Sequence, residues 1–182
     1  METSNKTFSI TTKDTNKTIS IVIRLAEQDD LDSVIKIEQE CFPPAEAATP
    51  ESFKDRFAAF KENFIVAEDT TNKKIIGFVN GCATDKAELP DELYHDAKLH
   101  KPKGEYQTVF GLDVLPEYRN RGVAGELITF LIEISKKRNK KGMVLTCKDH
   151  LIHYYEKFGF KHKGVSNSCH GGAKWNDMLY IF

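Results

Sequence analysis

The amino-acid sequence predicts a mixed α/β domain, and three observations carry that expectation. Apolar runs of strand length alternate along the chain with segments of helical periodicity. Their order is strand, two helices, three strands, helix, strand, helix, strands, a pattern that packs helices on both faces of a mixed sheet. The chain has 182 residues, enough for one sizeable core and too few for two.

Each element has its own reason. Residues 1–18 are rich in Thr, Lys, Asn and Ser and are expected to be flexible or weakly ordered. Phe8 and Ile10 alternate there with Ser9 and Thr11, which leaves room for a short strand. A single domain is expected to fill 19–182. Its first strand is 19–25, followed by an acidic helix entry in which Asp29 or Asp30 can cap. Leu31, Val34, Ile35, Ile37 and Cys41 recur at helical spacing until Phe42-Pro43-Pro44 stops the helix. Thr49 and Pro50 start a second helix over 50–62, with Phe53, Phe57 and Phe60 on one face. A hairpin of strands 63–69 and 74–84 turns at Thr71-Asn72-Lys73. The polar stretch 85–104 reads as a long loop with a helical turn around 91–99, and loops of that length are often functional. A strand over 105–115 leads into an amphipathic helix over 122–139, whose last turn carries Lys136, Lys137 and Arg138 as the helix dipole favours. A strand at 143–147, a short helix at 151–158 closed by Gly159, and strands at 160–165 and 178–182 complete the chain.

Composition narrows the function classes. Lys and Arg number 26 against 27 Asp and Glu, so no basic surface points to nucleic acid or to an anionic membrane. No apolar run approaches the ~20 residues a membrane span needs, and the first residues lack the apolar stretch of a secretory signal. A cytoplasmic protein is expected. Cys41, Cys82, Cys147 and Cys169 are scattered without a CxxC pair, so neither a disulfide framework nor a metal site is expected.

The chemistry concentrates between the strand ending at Leu115 and the helix that follows. Gly122 removes a side chain where the chain enters the helix, and Ala124 and Gly125 keep the first turn nearly bare. Unpaired N–H groups of that turn and the helix dipole together attract phosphate oxygens. Arg119 and Arg121 add cationic donors beside them. The run lacks the GK[ST] of a Walker loop and the GxGxxG of a dinucleotide fold.

The run Arg119-Asn120-Arg121-Gly122-Val123-Ala124, preceded by Val114-Leu115-Pro116-Glu117-Tyr118, resembles the R/Q-x-x-G-x-G/A acetyl-CoA motif of the GNAT superfamily. A second stretch, Tyr154-Tyr155-Glu156-Lys157-Phe158-Gly159-Phe160, is similar to that superfamily's C-terminal signature, and the resemblance covers roughly residues 20 to 180. Within the superfamily the chain is most similar to the arylalkylamine (serotonin) N-acetyltransferase branch. Residues 37–42, 77–81, 99–102 and 145–149 carry that finer likeness.

The resemblance implies a central sheet splayed between its fourth and fifth strands and acetyl-CoA as cosubstrate, with no metal. It implies direct attack of a primary amine on the thioester in a ternary complex. Leu112, Asp113 and Val114 would give main-chain contacts to the pantetheine, and the Leu112 N–H would polarise the thioester carbonyl. Arg119, Asn120, Arg121, Gly122, Val123, Ala124 and Gly125 would hold the pyrophosphate. Tyr155 would contact the cofactor and protonate the leaving thiolate, while Tyr154 is expected in the core. The histidine pair of the vertebrate branch aligns with Thr108 and Phe110, neither of which accepts a proton at neutral pH. His170 is the first candidate for the base, with Glu46 and His153 behind it. Phe42, Pro43, Pro44, Glu46, Thr108 and Phe110 are expected at the acceptor site, with Phe53, Phe57 and Trp175 as further apolar candidates. The expected function is acetylation of a small arylalkyl- or alkylamine. A peptide or protein N-acetyltransferase and a non-catalytic CoA-binding sensor are the alternatives, and a homodimer is left open.

Overall fold

The computed structural model describes residues 4–182, so the first three residues of the 1–18 segment lie outside it. The chain gathers into two compact units. One takes in the chain up to Asn80 together with Gly111–Leu131, and the other takes in Gly81–Phe110 and Ile132–Phe182.

The first unit holds a five-stranded sheet in the order β1 (Lys6–Thr11), β2 (Thr18–Leu25), β3 (Ile65–Asp69), β4 (Lys74–Asn80) and β7 (Gly111–Val114). Every pairing in it is antiparallel. β1 falls in the segment expected to be weakly ordered. Six consecutive register pairs with β2 and the burial of Ile10 give it order that composition does not show. Helix α1 (Leu31–Cys41) lies against β4 and β7. Helix α2 (Pro50–Phe60) starts at Thr49, whose hydroxyl oxygen accepts the Ser52 N–H at 3.1 Å. Phe53, Phe57 and Phe60 from α2 close on Phe64 and Phe78 with ring centroids 5.1–6.2 Å apart. Phe53 and Phe57 are therefore core residues, and the expectation that they line an acceptor pocket is corrected.

The second unit holds a sheet in the order β5 (Ala83–Thr84), β6 (Tyr106–Val109), β8 (Gly142–Cys147), β10 (Asn176–Ile181) and β9 (Lys161–Val165). β6 and β8 are parallel and the other pairings antiparallel. Short helix α5 (Ile152–Glu156) packs on β9 and β10. Within 85–104 the chain forms α3 (Glu92–His95) and a 3₁₀ turn at Ala97–Leu99.

Two strands expected to be continuous are divided between the sheets. The run 74–84 becomes β4 and β5, and the run 105–115 becomes β6 and β7 on either side of Phe110. Gly81 explains the first break. A Cβ at that position would collide with the Thr108 carbonyl, so only glycine lets the two backbones approach so closely. Buried polar side chains satisfy the main-chain groups released at the breaks. The Gln107 amide donates to the carbonyls of Gly81, Cys82 and Thr108, and the Asn80 side-chain oxygen accepts the Gly111 N–H. No helix among the described residues is long and apolar enough to cross a membrane, and no group of three metal-ligating side chains occurs among them.

Candidate functional site

In the first unit, β7 runs through a 3₁₀ turn at Pro116–Tyr118 into helix α4 (Val123–Lys137). Asn120 and Gly122 both take positive φ, +59° and +83°, which turns the chain sharply before the helix. A Cβ on Gly122 would meet nothing within 4 Å, so the space before the helix is open. The first-turn N–H groups of a fifteen-residue helix face that space, with the partial positive charge of its dipole behind them. Both arginines are braced through Nε. Arg119 donates to the Val114 carbonyl at 2.8 Å and Arg121 to the Thr11 carbonyl at 2.7 Å. β1 thus buttresses this turn, and its Lys6 also pairs with Glu126 of the first helical turn at 2.6 Å.

β7 ends its sheet, so one of its edges is open. The Leu115 N–H donates to the Ile76 carbonyl on β4. Main-chain groups alternate in direction along a strand, so Asp113 also turns its N–H and carbonyl toward β4 while Leu112 and Val114 turn theirs outward. Leu112 and Val114 accordingly face the edge of β7 that its sheet leaves unpaired. The main chain of Asp113 is committed to β4, which corrects its place among the main-chain contacts.

The Asp113 side chain is what enters the site. It points with Gly111 toward α1, from which Glu38 approaches. A Cβ on Gly111 would stand 3.3 Å from Glu38 Oε2. Glu38 is 5% exposed. Its Oε1 accepts the Ala48 N–H at 3.0 Å, whereas Glu38 Oε2 and Asp113 Oδ2 are buried without a hydrogen-bond partner. Burial pushes the Glu38 carboxyl up to about 7, against the Ala48 N–H and the charge of Arg56. Burial, then the charge of Glu38, holds the Asp113 carboxyl well above the usual carboxylate range, with Arg119 opposing. Each of the two carboxylates disfavours ionisation of the other. Neither side chain was expected in a chemical role. Glu38 falls in register with Leu31, Val34, Ile35 and Cys41, and a carboxylate on that apolar stripe is the signal that could have found it.

The remaining site candidates of that unit lie between α1 and α2. Phe42 caps α1 in extended conformation and is half-buried, Pro43 and Pro44 are exposed, and the Glu46 N–H donates to the Pro43 carbonyl at 2.9 Å.

In the second unit, Tyr155 lies on α5 and is 8% exposed, edge-on to Tyr154 and Phe160. Tyr154, expected in the core, is half-buried instead, because the helix turns Tyr155 inward. Burial raises the Tyr154 phenol above its ordinary value. Thr108 is fully buried and its hydroxyl donates to the Cys82 carbonyl at 3.0 Å, so it secures the strand break and does not line an acceptor pocket. His153 is exposed and pairs with Glu156 at 2.7 Å on the surface, which removes it as a candidate base. His170 stacks on Tyr94 of α3 with centroids 5.2 Å apart and planes at 16°. Tyr94 also lies 4.8 Å from Phe110, and the Trp175 indole donates to the His170 carbonyl at 2.9 Å. His170, Phe110 and Trp175 thus meet in one aromatic wall. Tyr94, the residue that joins it, comes from the long segment whose polar composition hid it.

Asp91 fastens that wall by accepting the Ser168 hydroxyl at 2.5 Å and the Cys169 N–H at 3.1 Å. Burial works against its ionisation, but those hydrogen bonds outweigh burial and keep the carboxylate below its usual range. Asp91 also borders a cavity of about 550 Å³, lined further by Glu88, Val144, Lys163, Asp177 and Leu179.

The acetyltransferase (GNAT) family model matches residues 31–160. The chain belongs to that family. It is 30% identical over 92 residues to serotonin N-acetyltransferase of Mesocricetus auratus, a match covering 50% of this chain and 43% of that protein. It is 26% identical over 133 residues to the uncharacterized N-acetyltransferase YkwB of Bacillus subtilis, covering 67% of this chain and 58% of that protein. The chain thus spans about half the length of these curated relatives. Among solved structures, the loading GNATL domain of CurA from Lyngbya majuscula superposes with a TM-score of 0.74 at 15% identity, over 88% of this chain and 97% of that domain. That likeness establishes the GNAT fold, the mixed α/β architecture expected from the sequence.

Proposed function

We propose that this GNAT protein is an N-acetyltransferase that moves an acetyl group from acetyl-CoA to the primary amine of a small molecule. One observation carries the reading: the open edge of β7 leads directly into the bare N-terminus of α4. An extended pantetheine can pair with the outward main chain of Leu112 and the Val114 N–H, and the pyrophosphate can then reach the helix N-terminus. Arg119, Asn120, Arg121, Gly122, Val123, Ala124 and Gly125 border that cradle.

The Leu112 N–H polarises the thioester carbonyl as the amine attacks, a donor worth about 3–4 kcal/mol in other enzymes. Holding amine and thioester together supplies much of the remaining acceleration. The Tyr155 phenol gives its proton to the leaving thiolate, since an ordinary phenol stays protonated at neutral pH. In the second unit, the aromatic wall of Tyr94, Phe110, His170 and Trp175 suits an aryl group, and carboxylates of the neighbouring cavity suit the cationic amine.

An acetylation assay over a panel of aryl and alkyl amines, with peptides alongside, tests the reading. Free amines are expected to release CoA faster than peptides. Faster turnover of peptides would move the function to protein acetylation, and CoA binding without any transfer would make the chain a sensor. Tyr155→Phe is expected to cut turnover by about 10²-fold while CoA affinity stays within about twofold. An unchanged rate would remove Tyr155 from the acid role.

A further inference from the structure

We propose that the Glu38–Asp113 carboxyl pair is the proton acceptor for the attacking amine. The inference rests on the amine-transfer reading and supplies the base that reading lacks.

The geometry has three parts. First, each carboxyl keeps a buried oxygen with no hydrogen-bond partner, Glu38 Oε2 stands against Gly111, and Glu38 is 5% exposed. A buried, unsatisfied carboxylate oxygen is costly unless it holds or exchanges a proton. Second, the pair stands against β7 where Leu112, between Gly111 and Asp113, turns its N–H to the open edge. Asp113 belongs to that strand and Glu38 to the helix against it, so Asp113 is the member nearer the open edge and the route for protons. Third, Thr108, His170 and His153 are each engaged within the second unit. The Thr108 hydroxyl serves the strand break, His170 is stacked on Tyr94, and His153 pairs with Glu156 at the surface.

Charged and titratable groups face the pair from each side: Arg56 from α2, Arg119 from beyond β7, and Cys41 from α1 itself. The two arginines favour one net negative charge, and mutual repulsion of the carboxylates disfavours two. A pair with one proton in residence is a base matched to neutral pH, which a lone carboxylate at its ordinary acidity is not.

The step balances. The singly protonated pair takes a proton from the ammonium form of the amine and becomes neutral. The freed nitrogen lone pair forms the C–N bond, and the C–S bond breaks with its electrons going to sulfur. Tyr155 protonates the sulfur and is restored through solvent by the second nitrogen proton. The proton held on the pair returns to solvent as product leaves.

The test compares wild type, Glu38→Gln and Asp113→Asn on an amine that turns over. The readouts are the pH dependence of kcat/KM, CoA affinity by calorimetry, and a ¹³C carboxyl NMR titration of the free proteins. Wild type is expected to show an acid limb near neutrality in addition to any limb of the amine itself. Glu38→Gln is expected to remove that limb and slow turnover by about 10²-fold, with CoA affinity held within about twofold. Asp113→Asn removes a like charge, so any limb remaining on Glu38 is expected to move to lower pH. A limb unmoved in both variants would overturn the proposal, as would the absence of a wild-type carboxyl titrating in the neutral range. If Glu38→Gln fails to fold, Asp113→Asn and the wild-type titration decide. Wild type that binds CoA and acetylates nothing removes the transferase reading and this one with it. Wild type that turns over with an unmoved limb removes only this one.

Discussion

Two groups of carboxylates are buried in the first unit, and they are stabilised in opposite ways. Asp30 and Glu68 share the fork of Arg24, which donates to Asp30 at 2.6 and 3.0 Å and to Glu68 at 2.6 and 2.9 Å. Glu38 and Asp113 have arginines in electrostatic reach, yet each keeps an oxygen without a hydrogen-bond partner. The first arrangement fixes the entry to α1 against the sheet and has no chemistry left to offer. The second holds a proton in reserve beside the open strand. Burial alone therefore does not mark a functional carboxylate; buried oxygens left without a hydrogen-bond partner set the second group apart.

The largest effect should come from breaking the satisfied group. Arg24→Met leaves Asp30 with only the Glu27 N–H and Glu68 with only exposed Lys73, and urea unfolding should show a loss of about 3–5 kcal/mol. A loss below about 1 kcal/mol would mean that water takes over both charges, and the contrast would fail.

The next effect is in pH dependence, where the two groups have opposite signs. Burial raises the Asp30 carboxyl, but the Arg24 and Glu27 hydrogen bonds outweigh it and hold the group below its ordinary value. Its stabilisation is present above the unfolded value and lost as pH falls through the folded one. Glu38 is raised from 4.5 to about 7. Its contribution is present below the unfolded value and lost as pH rises through about 7. Wild type should lose up to about 1.4 kcal/mol per pH unit from this one group within that window. Glu38→Gln should flatten the decline, as read from unfolding free energies between pH 5 and 8. An equal slope in both proteins would show that Glu38 titrates normally.

The smallest effect sharpens the role of the segment between α1 and α2. Thr49→Ala removes the cap of α2 and should cost about 1 kcal/mol in thermal or urea unfolding. A clearly larger loss would couple this segment to Glu38 through the Ala48 N–H.

The bare turn before α4 was legible because it depends on side chains that are missing. Gly122, Ala124 and Gly125 can be read from the chain, and their physical effect is local. The cap at Thr49 is equally local. The breaks at Gly81 and Phe110 were not legible, because strand-like patterning continues on both sides of each. Glu38 was hidden for a related reason. A glutamate in a helix reads as a solvent-facing residue until its neighbours are known, although its register with Val34 and Cys41 placed it on the apolar stripe. Tyr154 and Tyr155 are adjacent, and only the docking of α5 decides which turns inward.

By itself, then, the sequence determined the α/β order of elements, the bare turn at the start of α4 and membership of a family that uses such a turn. These depend on periodicity and on local backbone freedom, which are properties of short stretches. Tertiary structure alone decided that β1 braces the turn before α4, that two strands divide between two sheets, and that Glu38 lies within electrostatic reach of Asp113. Those facts join residues as far apart as Lys6 and Glu126, 120 positions from each other, and their energetics arise from the removal of water between surfaces that only the fold brings together.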